Sequence, residues 1–272
     1  MPGKGKTFFT GKIAFISGSN AGIGKALALE VAKLGGIPVL NGRNTEKLEA
    51  ALVEVKKYAP ESISIPGDIS DPYVAEQTIN TIVQKFGRLD ILVNNAGISA
   101  KGTVEKTKPE VFEEITKINY LGTVYLTHYA LPYLKNSRGR LLFVSSIVGI
   151  YGLPNYGGYC SSKAPLTTLA ETLRVELHGT GVKTSIAYVG FTENEPDKYF
   201  LNAKGEREIL QERTNVNSKT QQETALLLLR QIKKGKFKDY HSLFGFLSIS
   251  LKRYFPRLYH EILRMNRKKF YA

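Results

Sequence analysis

Short runs of β-branched and other apolar residues alternate along the chain with longer stretches in which apolar positions recur every three or four residues. The run KIAFIS at 12–17 predicts a strand, and 23–34 predicts a helix with one apolar face. Strands at 37–41, 62–66, 89–93, 140–145 and 182–189 follow, separated by helical patterns over 44–57, 71–86, 109–134 and 156–178. Asp71 is a natural N-cap for the third helix, with Pro72 at its first position, where the missing N–H costs nothing. Compact apolar strands alternating with helices predict an α/β protein, a parallel sheet covered on both sides. The connections are short, so one domain is expected.

Order is harder to see after Val189. Residues 192–218 are polar with no clean period, and a mobile segment over a site is expected there. A helical pattern returns at 219–234. From 242 to 270 bulky apolar residues (Leu243, Phe246, Leu247, Leu251) mix with Lys252, Arg253, Arg257 and Arg264, and Pro256 divides the stretch. The division expected is therefore a domain at 1–240 with a basic amphipathic helical extension at 241–272.

Composition narrows the classes. In 272 residues, 42% are hydrophobic and 23% charged, so a sizeable core is affordable and disorder is not the default. No apolar run approaches the ~18 residues of a membrane-spanning helix. The first twenty residues lack the apolar core and cleavage site of a signal peptide. A lone cysteine, Cys160, excludes an internal disulfide and a cysteine-based zinc site, and points to a reducing cytoplasmic setting; no metal is expected. Cys160 itself is expected to serve packing. The net charge is +14, and the last 48 residues carry 12 Lys and Arg against two acids. Such an excess suits anionic lipid or acidic ligands as well as plain solubility. No nucleic-acid module is recognisable, so no nucleic-acid partner is expected.

The candidate chemistry starts at the first strand–helix junction, where Gly18, Ser19, Asn20, Ala21, Gly22, Ile23 and Gly24 form a glycine-rich turn. Glycines there let a pyrophosphate approach the positive end of a helix. At the end of the second strand Asn41-Gly42-Arg43 carries no acid, and Arg43 is placed to pair with a 2′-phosphate; NADP(H) is the expected cofactor. Tyr159 and Lys163 lie four apart, one helical turn. A neighbouring ammonium favours the phenolate and brings a phenol toward useful acid–base strength. Ser146 closes the fifth strand 13 residues earlier, Asn94-Asn95-Ala96-Gly97 closes the fourth, and Asn119 sits in the helix after it.

Together these motifs resemble the short-chain dehydrogenase/reductase family over 12–190. The resemblance rests on the Gly18–Gly24 turn, Asp68-Ile69, Asn95-Ala96-Gly97 and the tetrad Asn119, Ser146, Tyr159, Lys163. It implies a Rossmann-type doubly wound sheet in the order 3-2-1-4-5-6, with room for a seventh strand. It also implies hydride transfer between a nicotinamide and a carbonyl or alcohol carbon. By that resemblance Tyr159 is the proton donor, Ser146 positions the carbonyl oxygen, Lys163 binds the nicotinamide ribose, and Asn119 holds a water linking Lys163 to solvent. Asp68 and Ile69 fall at the adenine and Asn95 to Gly97 at the ribose. Gly190 and Thr192 stand where the family has a Pro-Gly motif with a downstream threonine. Thr192 or Asn194 then holds the carboxamide. Pro165 departs from a regular helix and predicts a bend that spares the Tyr159–Lys163 turn. Aromatic and apolar residues such as Tyr151, Tyr156, Phe191 and Tyr199 predict an apolar substrate. The basic, apolar end resembles that of lipid- and steroid-handling members that dock on membranes. A homo-oligomer, dimer or tetramer, paired through the long helices is also implied. The alternative is a non-catalytic NADP-binding or scaffold protein on the same fold.

Overall fold

The computed structural model describes residues 7–211 and 218–270; the parts of the expectations above that fall on 1–6, 212–217 and 271–272 lie outside the described residues. In chain order, β1 (Ile13–Ile16) leads to α1 (Gly22–Lys33), β2 (Ile37–Gly42), α2 (Thr45–Lys56), β3 (Ile63–Pro66) and α3 (Pro72–Phe86). Next come β4 (Ile91–Asn94), the two-residue β5 (Ser99–Ala100), α4 (Pro109–Thr116) and α5 (Gly122–Ser137). They are followed by β6 (Arg140–Ser146), α6 (Gly157–Lys163), α7 (Pro165–Glu176) and β7 (Lys183–Val189). The chain ends with β8 (Tyr199–Leu201), β9 (Arg207–Ile209), α8 (Gln221–Lys234), β10 (Lys238–Tyr240), α9 (Leu243–Tyr254) and α10 (Pro256–Met265).

Seven strands form one sheet in the order β10-β7-β6-β4-β1-β2-β3, every pairing parallel. In the sequence numbering of the main strands this is 3-2-1-4-5-6-7, with the seventh strand at the edge. Alternate residues of each central strand enter two separate cores. Ile13, Phe15, Leu92, Leu141 and Phe143 face α3, α5 and α7, while Ala14, Ile16, Val93, Leu142 and Val144 face α1, α2 and α8. Burial on both faces is why these strands are apolar throughout rather than alternating. The order reverses between β1 and β4, which opens a crevice at the carboxyl ends of those strands.

The capping at α3 is as expected: Asp71 accepts hydrogen bonds from Tyr73 and Val74 N–H behind Pro72. The expected helix over 156–178 is divided at Ala164, immediately before Pro165, into α6 and α7. The expected helix over 109–134 is not continuous. A π-helical turn, Lys117–Leu121, separates α4 from α5 and shifts their register. Beside it, Gly122 packs so tightly on Ile69 that a methyl there would come within 2.6 Å of Ile69 Cδ1.

The polar segment after Val189 also holds more structure than expected. β8 pairs parallel with β5 and antiparallel with β9, giving a small second sheet. The hairpin turns on Asn202, whose Oδ1 accepts from Lys204 N at 2.9 Å and Glu206 N at 3.0 Å. The C-terminal pair α9–α10 packs on the loop after β6. Tyr259 is buried against Tyr151 with ring centroids 5.7 Å apart, and Lys252 Nζ donates to Ile150 O at 2.7 Å.

Candidate active site

The glycine-rich turn crosses from β1 to α1 at the crevice. Gly22 opens α1 with φ +59°, in open space, while a methyl on Gly24 would lie 2.3 Å from Gly18 O. The first requires a residue free in the left-handed region, the second a helix that touches the turn beneath it. The turn is fixed from β4. Ser17 Oγ accepts from Asn95 N at 3.0 Å and Ala96 N at 3.1 Å, and Asn95 Nδ2 donates to Ser17 O at 2.9 Å and Gly18 O at 3.0 Å. Ser19 turns inward; its hydroxyl donates to Ile16 O at 2.8 Å and accepts from Asn41 N at 2.9 Å, tying β1 to β2. Asn20 lies against Gly42, where a methyl would meet Asn20 Oδ1 at 2.6 Å. Ile23 follows, half-buried, against the core shared by α1 and α2.

Arg43 stands at the end of β2. Its Nη1 lies 3.4 Å from Asp68 Oδ2, and its Nη2 donates to Tyr199 OH at 2.9 Å. Burial would raise the Asp68 carboxyl, but hydrogen bonds from Ser70 and the Arg43 guanidinium together hold it below its ordinary value. Ile69 beside it is buried.

Across the crevice, α6 delivers Tyr159 and Lys163 one turn apart. Lys163 is buried, with Nζ donating to Val144 O at 3.2 Å. Burial first, and then the charge of Lys198, bring its ammonium down to about 8. A methyl on Gly97 would come within 2.8 Å of Asn119 Oδ1 and 2.9 Å of Lys163 Nζ, so the fourth-strand loop, the π turn and α6 meet at one point. Asn119 is fully buried; its Nδ2 donates to Ile98 O and to Ser162 Oγ, each at 2.9 Å, and Ser162 Oγ donates back to Tyr159 O at 2.9 Å. The Tyr159 ring packs on Ala100, Val111, Ile115 and Leu201. Ser146 ends β6 in register with Val189, one residue before Gly190.

Two neighbouring groups are held in their protonated forms by burial. Burial pushes the Tyr151 phenol up to about 12, which disfavours its phenolate. Burial also pushes the Cys160 thiol up, in keeping with packing rather than reactivity. Thr192 is buried, with its hydroxyl shared with Thr224 at 3.2 Å. Sequence reasoning missed Glu195 and Asp197, which reach the cofactor side of the crevice: Glu195 Oε1 accepts from Gly22 N at 3.0 Å and Asp197 pairs with Lys47. No local pattern marks them, because their partners are more than a hundred residues away. Among the described residues no cluster of three or more His, Cys, Asp or Glu is set to hold a metal.

A parallel sheet with a glycine-lined helix start on one side of the switch point and a Tyr–Lys turn on the other defines a dinucleotide-binding oxidoreductase site. Residues 12–203 match the model of the short chain dehydrogenase family, and the chain belongs to that family. It is 36% identical over 213 residues to 11-beta-hydroxysteroid dehydrogenase A of Sesamum indicum, covering 77% of this chain and 61% of that protein. It is 33% identical over 202 residues to 3-oxoacyl-(acyl-carrier-protein) reductase of Thermotoga maritima, covering 69% and 79%. The chain spans about three fifths of the length of the plant relatives it matches. A short chain dehydrogenase/reductase from Burkholderia phymatum in complex with NAD superposes with TM-score 0.82 at 20% identity, over 93% of this chain and 96% of that one. An alcohol dehydrogenase from Thermococcus sibiricus complexed with 5-hydroxy-NADP gives TM-score 0.73 at 26% identity, over 84% and 95%.

Proposed function

We propose that the protein is an NADP(H)-dependent oxidoreductase that reduces a ketone or aldehyde of an apolar, lipid- or steroid-like substrate, or oxidises the corresponding alcohol. The observation that carries this reading is the buried Lys163 ammonium, meeting Asn119 and Gly97 at the mouth of the crevice. A dinucleotide fits the residues present. The open turn at Gly22 exposes a helix N-terminus, and an anion, the Glu195 carboxylate, already sits on its first N–H. Gly18 to Gly24 would hold the pyrophosphate, Asp68 and Ile69 the adenine end, Asn95 to Gly97 and Lys163 the ribose, and Arg43 the 2′-phosphate. With the Thr192 hydroxyl engaged by Thr224, the reading assigns the carboxamide to Asn194.

The bound cofactor supplies a hydride at the nicotinamide ring. Tyr159 gives its phenolic proton to the carbonyl oxygen as the carbon is reduced, while the Ser146 hydroxyl donates a hydrogen bond to that oxygen and fixes its position. Lys163 stabilises the phenolate left behind. An ammonium brought down to about 8 can surrender its proton near neutrality, and a water held at the π turn by Asn119 would return one from solvent. Oxidation runs the same steps backwards.

The loop 147–156 joins Ser146 to Tyr159 and forms one wall, and α9 and α10 lie against it. Gly245 packs so closely on Ile147 that a methyl would come within 2.2 Å of Ile147 Cδ1. Outward, these helices and the junction between them present Leu247, Tyr254, Phe255 and Leu258, 52–68% exposed, beside Arg253 and Arg257. This supports contact with an anionic membrane surface through residues 241–272, and the reading takes the protein as cytoplasmic with its catalytic domain at 1–240. No helix among the described residues is long and apolar enough to cross a membrane. Pairing of copies through the α4–α5 and α6–α7 faces belongs to the same reading.

The test is Tyr159→Phe. Turnover of apolar ketones with NADPH should fall by at least about a thousandfold, within the range ascribed to general acid catalysis, with NADPH binding nearly intact. Equal loss of both, or a wild-type protein that binds NADPH yet reduces nothing across a broad carbonyl panel, would overturn it.

A further inference from the structure

One short stretch running from β7 into the start of β8 places three oxygen-bearing side chains on the cofactor side of the crevice. Glu195 Oε1 takes the Gly22 N–H at 3.0 Å, Asp197 takes the Lys47 ammonium, and Tyr199 OH takes Arg43 Nη2 at 2.9 Å. Each lands on a donor suited to a phosphate. Helix α1 has neither a side-chain cap at Ala21 nor an acid in its first turn, so Glu195 comes from outside to satisfy its start. Lys47 sits three residues after the Asn44 cap of α2, at the end of a helix whose dipole disfavours a cation. A lysine there becomes favourable when it faces an anion.

We propose that Glu195, Asp197 and Tyr199 form a strap occupying the phosphate positions of the dinucleotide groove, and that Lys47 joins Arg43 in reading the 2′-phosphate once the strap lifts. The inference rests on the function proposed above. The stretch is held at both ends: Glu193 N donates to Lys219 O at 2.9 Å, and Phe200 pairs with Ser99 and Glu208 in the small sheet. Release needs the residues between Glu193 and Phe200 to move, which also gives up the Leu210 N–H bond to Lys198 O at 2.7 Å and the pairing of Tyr199 with Ile209. The contacts are of the kind that exchange readily. Lys47 and Asp197 side chains are 40% and 57% exposed, and such pairs contribute little. A pyrophosphate offers the α1 N-terminus more acceptors and more charge than one carboxylate, so the dinucleotide wins the exchange. Until it does, only the strap-open fraction binds cofactor, and apparent affinity is reduced by that fraction. NADPH, which displaces Asp197 as well as Glu195, gains a contact at Lys47 that NADH lacks.

Direct titration of the full chain with NADPH and with NADH, by calorimetry and without substrate, tests this. Glu195→Ala and Glu195→Gln should tighten both dinucleotides about threefold to fivefold, the scale of an exposed polar contact. Asp197→Asn should tighten NADPH more than NADH. Lys47→Ala should weaken NADPH about tenfold and leave NADH within about twofold, on the scale of one charge-assisted hydrogen bond. Retained melting temperatures would confirm that each variant folds. Unchanged affinities in the Glu195 and Asp197 variants, with the wild type binding NADPH normally, overturn the strap and leave the function standing. Equal loss of both dinucleotides in Lys47→Ala removes Lys47 from the 2′-phosphate. A wild type that binds neither dinucleotide overturns the strap and the function together.

Discussion

Asn119 grips the backbone of Ile98 with both ends of its amide, Oδ1 accepting from Ile98 N at 2.8 Å and Nδ2 donating to Ile98 O at 2.9 Å. This pair of hydrogen bonds stitches the π turn to the loop after β4 and so fixes Gly97 against Lys163. Asn119→Leu keeps the volume and deletes the clamp, leaving two backbone groups of Ile98 partnerless. At roughly 1–3 kcal/mol for each unsatisfied group, a loss of about 2–4 kcal/mol in stability is expected. A fall of several degrees in melting temperature, with turnover lost, is the outcome; an unchanged melting curve would mean the clamp is dispensable.

Arg43 faces Asp68 and is hydrogen-bonded to Tyr199 OH, a contact that a 2′-phosphate would replace. Arg43→Ala should weaken NADPH by about tenfold to a hundredfold, the range for losing hydrogen bonds to a charged group. NADH should change by less than about threefold. Competition binding of the two dinucleotides reads the ratio directly, and a preference left untouched would assign the 2′-phosphate to another residue.

The parts of this molecule that local chemistry controls are the parts its sequence displays. Asp71-Pro72 announces the start of α3, Pro165 the break between α6 and α7, and the spacing of Tyr159 and Lys163 a shared helical face. The alternate burial of Ile13 to Ile16 on two cores is written as an unbroken apolar run. What stays hidden depends on distant partners. β5 and β8 are two and three residues long and pair across a hundred positions, too short for any period to register. The Glu195–Gly22 contact spans 173 residues. The π turn around Asn119 looks like ordinary helix in sequence, since one extra residue in a turn shifts the apolar face without erasing it.

His241, just past β10, is buried with neither ring nitrogen hydrogen-bonded among the described residues. Burial lowers it to about 4, with Asp239 opposing and Lys219 and Lys236 reinforcing the shift. In the unfolded chain it titrates near 6.5. Above that value both states are neutral and the residue adds no pH dependence. As pH falls from 6.5 toward 4 the unfolded chain gains a proton that the folded chain refuses, so stability drops by up to roughly 3 kcal/mol. His241→Leu should flatten this acid slope in urea melts taken at pH 7, 6 and 5. Equal slopes in both proteins would place the acid sensitivity elsewhere.

On α10 the exposed apolar residues Leu258, Ile262 and Met265 recur at helical spacing, next to the face on which Tyr259 is buried in the core. The stripe is left exposed among the described residues, and Arg257 and Arg264 run along its other edge. Anionic lipid would attract each basic side chain by about 1 kcal/mol, and burying the stripe adds an apolar contribution. The protein should float with phosphatidylserine-containing vesicles and remain behind with pure phosphatidylcholine. Leu258→Glu together with Leu247→Glu, both on surface positions that leave Tyr259 in place, should abolish flotation without lowering the melting temperature or the reduction of a water-soluble ketone. Arg253→Glu with Arg257→Glu should do the same and make any residual binding insensitive to salt. If the glutamate variants float as the wild type does, these helices serve only to cover the loop after β6.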